Sequence, residues 1–290
     1  MAGIATNRTN INLPTEVSQE IMQKTQEQSA VMQLARQIAL PGRGLTIPVI
    51  TGDPDAAWVD ETDAKPVSNP TLSTKIMQAY KLAVIVPFSD EFRRDAASLY
   101  DAIVDRLPLA LAAKFDATVF GPASAAPGAN FDTFGGATAQ LLTGQEYDAL
   151  VAADTAIATA GGIMNGIVLS PQGKGVLLAA KDGDDRPLFI NNVADGAVPM
   201  VLGARTVLSR GAYVAGNPSN VNTVGVAGDW TQAMYGTVEG VQIRFADQTS
   251  LTIGGSQVNL WEHNMFAVRA EIEVGFRADT SCFNLLTVTP

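Results

Sequence analysis

Apolar and charged residues alternate most cleanly near the end of the chain. Phe266, Val268, Ala270, Ile272, Val274 and Phe276 interleave with Arg269, Glu271, Glu273 and Arg277. A period of two residues predicts a strand with one buried face. The same period runs through TLSTKIMQAYKLAVIVP, residues 71–87, where Tyr80, Leu82, Val84 and Val86 share a face. Before it come LTIPVIT, which reads as a strand, and GDPDAAWVDETDAKPVSNP, which reads as a turn-rich tip. The three pieces predict a long hairpin. A two-stranded hairpin is marginal alone in water, so its apolar face needs a cover, either a second subunit or the rest of this chain.

Helical spacing follows. Ser89 can cap a helix with Asp90 and Glu91 in its first turn, and Phe92, Ala96, Leu99, Ile103, Leu107 and Ala110 then form one stripe. Pro108 removes a backbone donor within that stripe, so a kink is expected before the helix resumes through Leu111 and Phe115. Upstream, residues 1–13 are polar and irregular. Val17, Ile21, Met22, Val31, Leu34 and Ile38 recur at helix-like intervals, as in an arm with one or two short helices. Residues 121–137 form a Gly/Pro-rich loop, and a domain boundary is expected near residue 138.

Beyond that boundary the pattern alternates between helix and strand. An Ala-rich helix over Tyr147 to Ala160 leads into GIVLS, a buried strand, and then into the helix PQGKGVLLAAK. The acidic turn DGDDRP, the short apolar strand VPMVLGARTVLS and further strand-like pieces in GVAGDWTQAMYGTVEGVQIRF complete a mixed α+β pattern.

Composition narrows the function. The 290 residues are 47% hydrophobic but only 17% charged, with 26 glycines, so the surface is weakly polar and suited to protein contact. A net charge of −10, from 19 basic against 29 acidic residues, disfavours gripping nucleic acid. Cys282 is the single cysteine, which excludes an intrachain disulfide or a Cys-based zinc site. The first residues lack a basic stretch followed by an apolar one, and no run of about 20 apolar residues occurs, so neither export nor membrane insertion is expected.

Candidate chemistry is sparse, and no catalytic, metal or cofactor residue is assigned. His263 is the only histidine and reads as a surface or packing residue. Ser170 lacks a GxSxG context and reads as a helix cap. The glycines of GGIMNG and GKG match no phosphate-binding loop. Asp182, Asp184 and Asp185 lack the spacing and terminal Glu of a calcium loop, so a solvated turn is expected. The residues singled out are candidates for contact between subunits. Asp53, Asp55, Asp60, Glu61 and Asp63 surround Trp58 at the hairpin tip with one Lys65, while Tyr80 lies on the apolar face and Arg93 and Arg94 are basic receivers.

Several stretches carry a family resemblance in their order and spacing: IVPFSDEFRRD, IVLSPQGKGVLLAAKDGDDRPLF, VLGARTVLSRG, Gly228 to Trp230, and HNMFAVRAEIEVGFRADTSCFNLL. Over nearly its whole length the chain resembles the major capsid proteins of tailed bacteriophages, with the Hong Kong 97-like fold. That resemblance implies an N-terminal arm over residues 1–43 and an extended loop over 44–86. It implies a peripheral domain with a spine helix over 87–137 and 251–290, and an axial domain over 138–250. It also implies pentamers and hexamers of an icosahedral shell that matures from a rounded precursor, encloses double-stranded DNA without reading its sequence, and is built in the host cytoplasm with a portal.

Some relatives carry a built-in N-terminal scaffold. Here the arm begins at Met1, so a separate scaffolding protein, or none, is expected. Others weld subunits by a Lys–Asn isopeptide bond, for which Lys65 or Lys75 with Asn264 or Asn284 have the residue types. The rival readings are an encapsulin-like compartment with a protein cargo and, more distantly, a monomeric hydrolase, which would need a convergent His, Ser and acid set.

Overall fold

The computed structural model describes residues 29–42, 44–52, 58–59, 71–90, 96–189, 200–216 and 221–290. Its first half contains α1 (Ala30–Leu34), β1 (Arg36–Ala39), β2 (Leu45–Gly52), β3 (Thr71–Met77), β4 (Tyr80–Ser89) and the long α2 (Ala96–Val119). There follow β5 (Thr138–Leu141), α3 (Glu146–Thr159), β6 (Gly166–Leu169), α4 (Pro171–Ala179), β7 (Met200–Val201) and β8 (Ala204–Leu208). The last part is all strand: β9 (Asn222–Gly228), β10 (Ala233–Thr237), β11 (Gln242–Ala246), β12 (Ser250–Ile253), β13 (Ser256–Asn259), β14 (Met265–Ala278) and β15 (Phe283–Val288).

The alternating run near the C-terminus becomes β14, the axis of a five-stranded sheet. Strand β4 pairs antiparallel along one edge, from Met265 to Val274. Strands β11 and β10 follow one another along the other edge, and β1 lies parallel beyond β10. All six apolar residues of the alternation, Phe266 through Phe276, are buried. Leu107 and Leu111 of α2 pack in one cluster with Phe266, Val268, Ala270 and Ile272. Burial of such a side chain contributes about 2 kcal/mol, so this face alone ties α2 to the sheet. Helix α2 is assigned continuously through Pro108, with Leu107 and Leu111 buried on either side of it; Ala110, expected on the stripe, is exposed. The proposed helix start, from Glu91 to Arg94, lies outside the described residues.

Two expectations are corrected here. The returning strand is two strands: β3 pairs with β2, whereas β4 leaves the hairpin and joins the sheet through β14. The Tyr80, Leu82, Val84 and Val86 face is therefore partly covered by this chain, with Tyr80 and Leu82 against the aromatic core and Leu82, Val84 and Val86 beneath α2. Ile38 is also in a strand rather than a helix, because β1 is captured in parallel register by Met234 to Thr237 of β10.

The second sheet has six strands in the order β5-β15-β9-β6-β8-β7. On one face, Leu150, Ala153 and Ile157 of α3 and Leu177 of α4 cluster with Ile167, Leu169, Val224, Ala227 and Leu286. Ser170 caps α4 as expected, its Oγ accepting from Gly173 N at 3.0 Å. The segment read as one apolar strand is the tight hairpin β7–β8, turned by Leu202 (φ 48°) and Gly203 (φ 80°). Asp182 accepts from the backbone N–H groups of Asp184 and Arg186 in an exposed turn, and His263 is exposed.

Two identical corners join the sheets. The chain passes from β9 to β10, and from β14 to β15, each time through a 3-10 turn capped by an aspartate, Asp229 or Asp279. Asp229 N donates to Cys282 O, and Asp279 N to Gln232 O, so each corner braces the other. Over the corners lies an aromatic core. Phe134 stacks among Phe120, Trp230, Phe276 and Phe283 with centroids 4.5 to 5.9 Å away. The loop at 121–137, expected only to turn the chain, thus supplies Phe131 and Phe134 to the core. Trp230 fits because Gly166 has no Cβ: one would stand 2.6 Å from the indole, whose Nε1 donates to Gly166 O at 3.0 Å.

Candidate functional site

The hairpin β2–β3 pairs only with itself among the described strands, so its position depends on its base. Met77 is fully buried there. Gly236 and Gly275 are register partners on β10 and β14, and together they leave a notch on the outer face of the sheet. A Cβ on Gly275 would meet Met77 Cγ at 3.1 Å and Gln78 O at 2.6 Å; one on Gly236 would meet Met77 Sδ at 2.9 Å. The notch receives Leu40 and the methionine and lets the backbone cross from the hairpin to β4. Gly275→Ala is expected to destabilise the protein by about 2 kcal/mol through overpacking. Urea denaturation checks this, with earlier proteolysis of residues 45–77 than of the core.

Beside the notch, Arg277 clamps the hairpin. Its Nε donates to Ile76 O at 2.8 Å, Nη1 pairs with Asp132 Oδ1 at 2.7 Å, and Nη2 donates to Asn130 Oδ1 at 3.0 Å. Asp132 also accepts from Ala278 N, and Lys75 Nζ donates to Ala278 O. Tyr80 stands next to this clamp, its hydroxyl accepting from Asn130 N at 3.2 Å and its ring edge-on to Phe131.

A second node fixes the segment before β1. Asp116 of α2 is buried and accepts from Ser29 Oγ and Ser209 Oγ, each at 2.6 Å, and from the backbone N–H groups of Ala30 and Val31. One carboxylate thereby joins α1, α2 and the turn after β8. Burial raises its pKa despite these four donors. At Asp229 burial also pushes upward, but donors from Thr231, Ile163 and Asn165 outweigh it and the pKa falls.

The two signs have opposite consequences. For Asp116 the folded state holds the proton more tightly than the unfolded chain. Its contribution is therefore full below the unfolded pKa, about 3.9, and is lost as pH rises through the raised folded value. For Asp229 the contribution is present above the unfolded pKa and is lost as pH falls through the lowered folded value. Urea denaturation at several pH values should show wild type gaining stability relative to Asp116→Asn as pH drops toward 4. Relative to Asp229→Asn, wild type should lose stability on acidification.

Of the expected contact residues, Trp58 is fully exposed, at 104% of its reference area. Tyr80 is half-buried within its own chain. Asp53, Asp55, Asp60, Glu61, Asp63, Lys65, Arg93 and Arg94 lie outside the described residues. Among the isopeptide candidates, Asn284 is buried with its Nδ2 toward Ala153 O, so a lysine of another subunit has no access to it in this fold. Sequence reasoning missed Asp116 and Arg277. The signal for Asp116 is its place one turn beyond Ala112 on a buried face of α2. Arg277 gives none, because it continues a polar series whose other members reach solvent.

A family model described as the phage capsid family matches residues 10–280. The chain belongs to the phage capsid family. It is 30% identical over 296 residues to a probable major capsid protein of Mycobacterium phage L5, covering 95% of this chain and 89% of the relative. The major capsid protein of Staphylococcus phage 80alpha is 23% identical over 93% of this chain and 83% of its own length. Among solved structures, a chain from Microbacterium phage Oxtober96 superposes with a TM-score of 0.71 at 22% identity, covering 90% of this capsid chain and 91% of that one. A chain from Gordonia phage Cozz gives the same TM-score over 91% and 87%. The α+β architecture described above is that of these phage capsid structures.

Proposed function

We propose that this chain is the major capsid protein of a tailed bacteriophage, a virion component that assembles into the closed icosahedral shell around the double-stranded DNA genome. The family match over residues 10–280, with a major capsid relative at 30% identity, carries this reading. The geometry agrees with it: a hairpin firmly held at its base, whose described strands pair only with each other, suits contact with a neighbouring copy. Residues 1–43 act as the arm, 44–86 as the extended loop, 87–137 and 251–290 as the peripheral domain, and 138–250 as the axial domain. Copies meet as pentamers and hexamers, closing by rotational symmetry. Assembly takes place in the bacterial cytoplasm, with a portal. The net charge of −10 suits a container that holds DNA without binding it tightly. The chain works by packing and catalyses nothing.

Particles purified from the phage's own host test this reading. Nuclease-protected double-stranded DNA of genome length is the expected content. A shell holding a protein cargo and no DNA would move the assignment to an encapsulin-like compartment.

A further inference from the structure

Asn165 and Gly166 form the single Asn–Gly step in the sequence. Glycine carries no side chain to hinder its own amide nitrogen, so an asparagine before it cyclises more readily than before any other residue. The Gly166 nitrogen attacks Cγ of Asn165 and closes a five-membered succinimide. The side-chain nitrogen leaves as ammonia, taking the proton of the Gly166 amide with it. Water then opens one of the two ring carbonyls and leaves either aspartate or isoaspartate, the latter with an extra carbon in the backbone. Water is the only co-reactant.

The fold holds this step away from the geometry it needs. The Asn165 amide is clamped at both ends, Nδ2 donating to Asp229 Oδ1 at 2.9 Å and Oδ1 accepting from Trp230 N at 3.0 Å. Its backbone N–H donates to Gly228 O and its carbonyl accepts from Arg205 N. Gly166 opens β6 with β8 on one side and β9 on the other. Although Asn165 is exposed to water, its amide can reach the Gly166 nitrogen only by leaving Asp229 and Trp230. In the unfolded chain nothing holds it.

The same clamp makes the products incompatible with the corner at Asp229. That carboxylate also accepts from Ile163 N, Thr231 N and Thr231 Oγ1. Conversion of the amide to an acid replaces a donor with a second carboxylate 2.9 Å away, and two like charges at that separation cannot both ionise without cost. Isoaspartate instead lengthens the backbone just where Gly166 must sit, its missing Cβ being the space that Trp230 fills. Either product strikes the first of the two corners that join the sheets.

We propose that Asn165 is a modification site coupled to folding: the folded chain keeps the amide, whereas a chain that stays unfolded is deamidated there and can no longer close the Asp229 corner. Chains that linger unfolded are thereby withdrawn in one direction. Nothing in this chemistry depends on the shell function above.

The full chain incubated at mildly alkaline pH, in native buffer and in guanidinium chloride, tests the site by peptide mass spectrometry. In denaturant Asn165 is expected to convert before any other asparagine. In native buffer its conversion should be about tenfold slower, because it waits on local opening. Equal rates in the two solutions, or earlier conversion elsewhere in denaturant, overturn the shielding. Diluted after long incubation in denaturant, wild type should refold to a lower yield than a freshly denatured sample, with the modified residue enriched in the fraction that fails. Asn165→Ser cannot cyclise and should refold equally well from fresh and aged denaturant. The same loss in that variant, or modified wild-type chains that refold like unmodified ones, overturns the proposal.

Discussion

Asp116→Ala is expected to lower the unfolding free energy by about 3 kcal/mol, the largest single effect among the polar residues described here. The substitution leaves the backbone donors of Ala30 and Val31 and the hydroxyls of Ser29 and Ser209 without their acceptor in a buried place. The hydroxyls can rotate toward other partners, but the backbone donors cannot. Relief of the buried charge offsets part of this cost, which keeps the estimate near one to two orphaned donors and a small cavity. For a chain of 290 residues the midpoint should fall by roughly 5–10 °C. Asp116→Asn keeps the volume and one acceptor oxygen, so it should lose less. Calorimetry on the two variants checks the order. A change below about 1 kcal/mol for the alanine would mean that the three segments are held by apolar packing alone.

Arg277→Met is the second large effect. The methionine retains much of the aliphatic volume while removing three hydrogen bonds that join the hairpin base to β14 and to the 130–132 loop. Breaking a mostly buried pair costs about 3–5 kcal/mol. Asp132 keeps partial solvent contact, with its side chain 23% exposed, and it still accepts from Ala278 N, so about 2–3 kcal/mol is expected here. The functional loss should exceed the loss of stability. Met77 still anchors the hairpin, but its direction is no longer fixed by Ile76 O, so a hairpin used in assembly as proposed loses its defined approach to a neighbouring copy. Sedimentation should show folded subunits with a reduced fraction in particles. Normal particle yield together with normal proteolysis of residues 45–77 would remove Arg277 from this role.

The fold was legible where one local period matched one tertiary environment. Strand β14 alternates because one long face packs under α2 and the aromatic core, and its six apolar positions could be read directly. Ser170 was legible for the same reason: a serine before Pro171 at a strand end does one thing, capping α4. The break between β3 and β4 was not legible, because residues 71–87 suit a strand throughout. What divides them is the notch at Gly236 and Gly275, about 160 to 200 positions away, where the backbone crosses at Gln78. The 121–137 loop misled in the opposite way. Its glycines and prolines mark turns, yet Phe131 and Phe134 enter a core whose other members run from Ala30 to Leu285.

The proposed contact residues stand out in the sequence by composition alone. An exposed tryptophan among acids stands out in the sequence, and Trp58 is exposed. The apolar face of β4 was expected to be covered either by a second subunit or by this chain, and α2 of this chain packs on Leu82, Val84 and Val86, with a groove left at the Tyr80 end.

The most direct test of the central claim is size-exclusion chromatography with light scattering on the purified chain, with electron microscopy of every peak. Closed shells, tubes, or pentamers and hexamers are the predicted species. A compact monomer at every protein concentration and salt condition, with or without a co-expressed scaffold, would contradict the claim that this protein works by assembling with copies of itself.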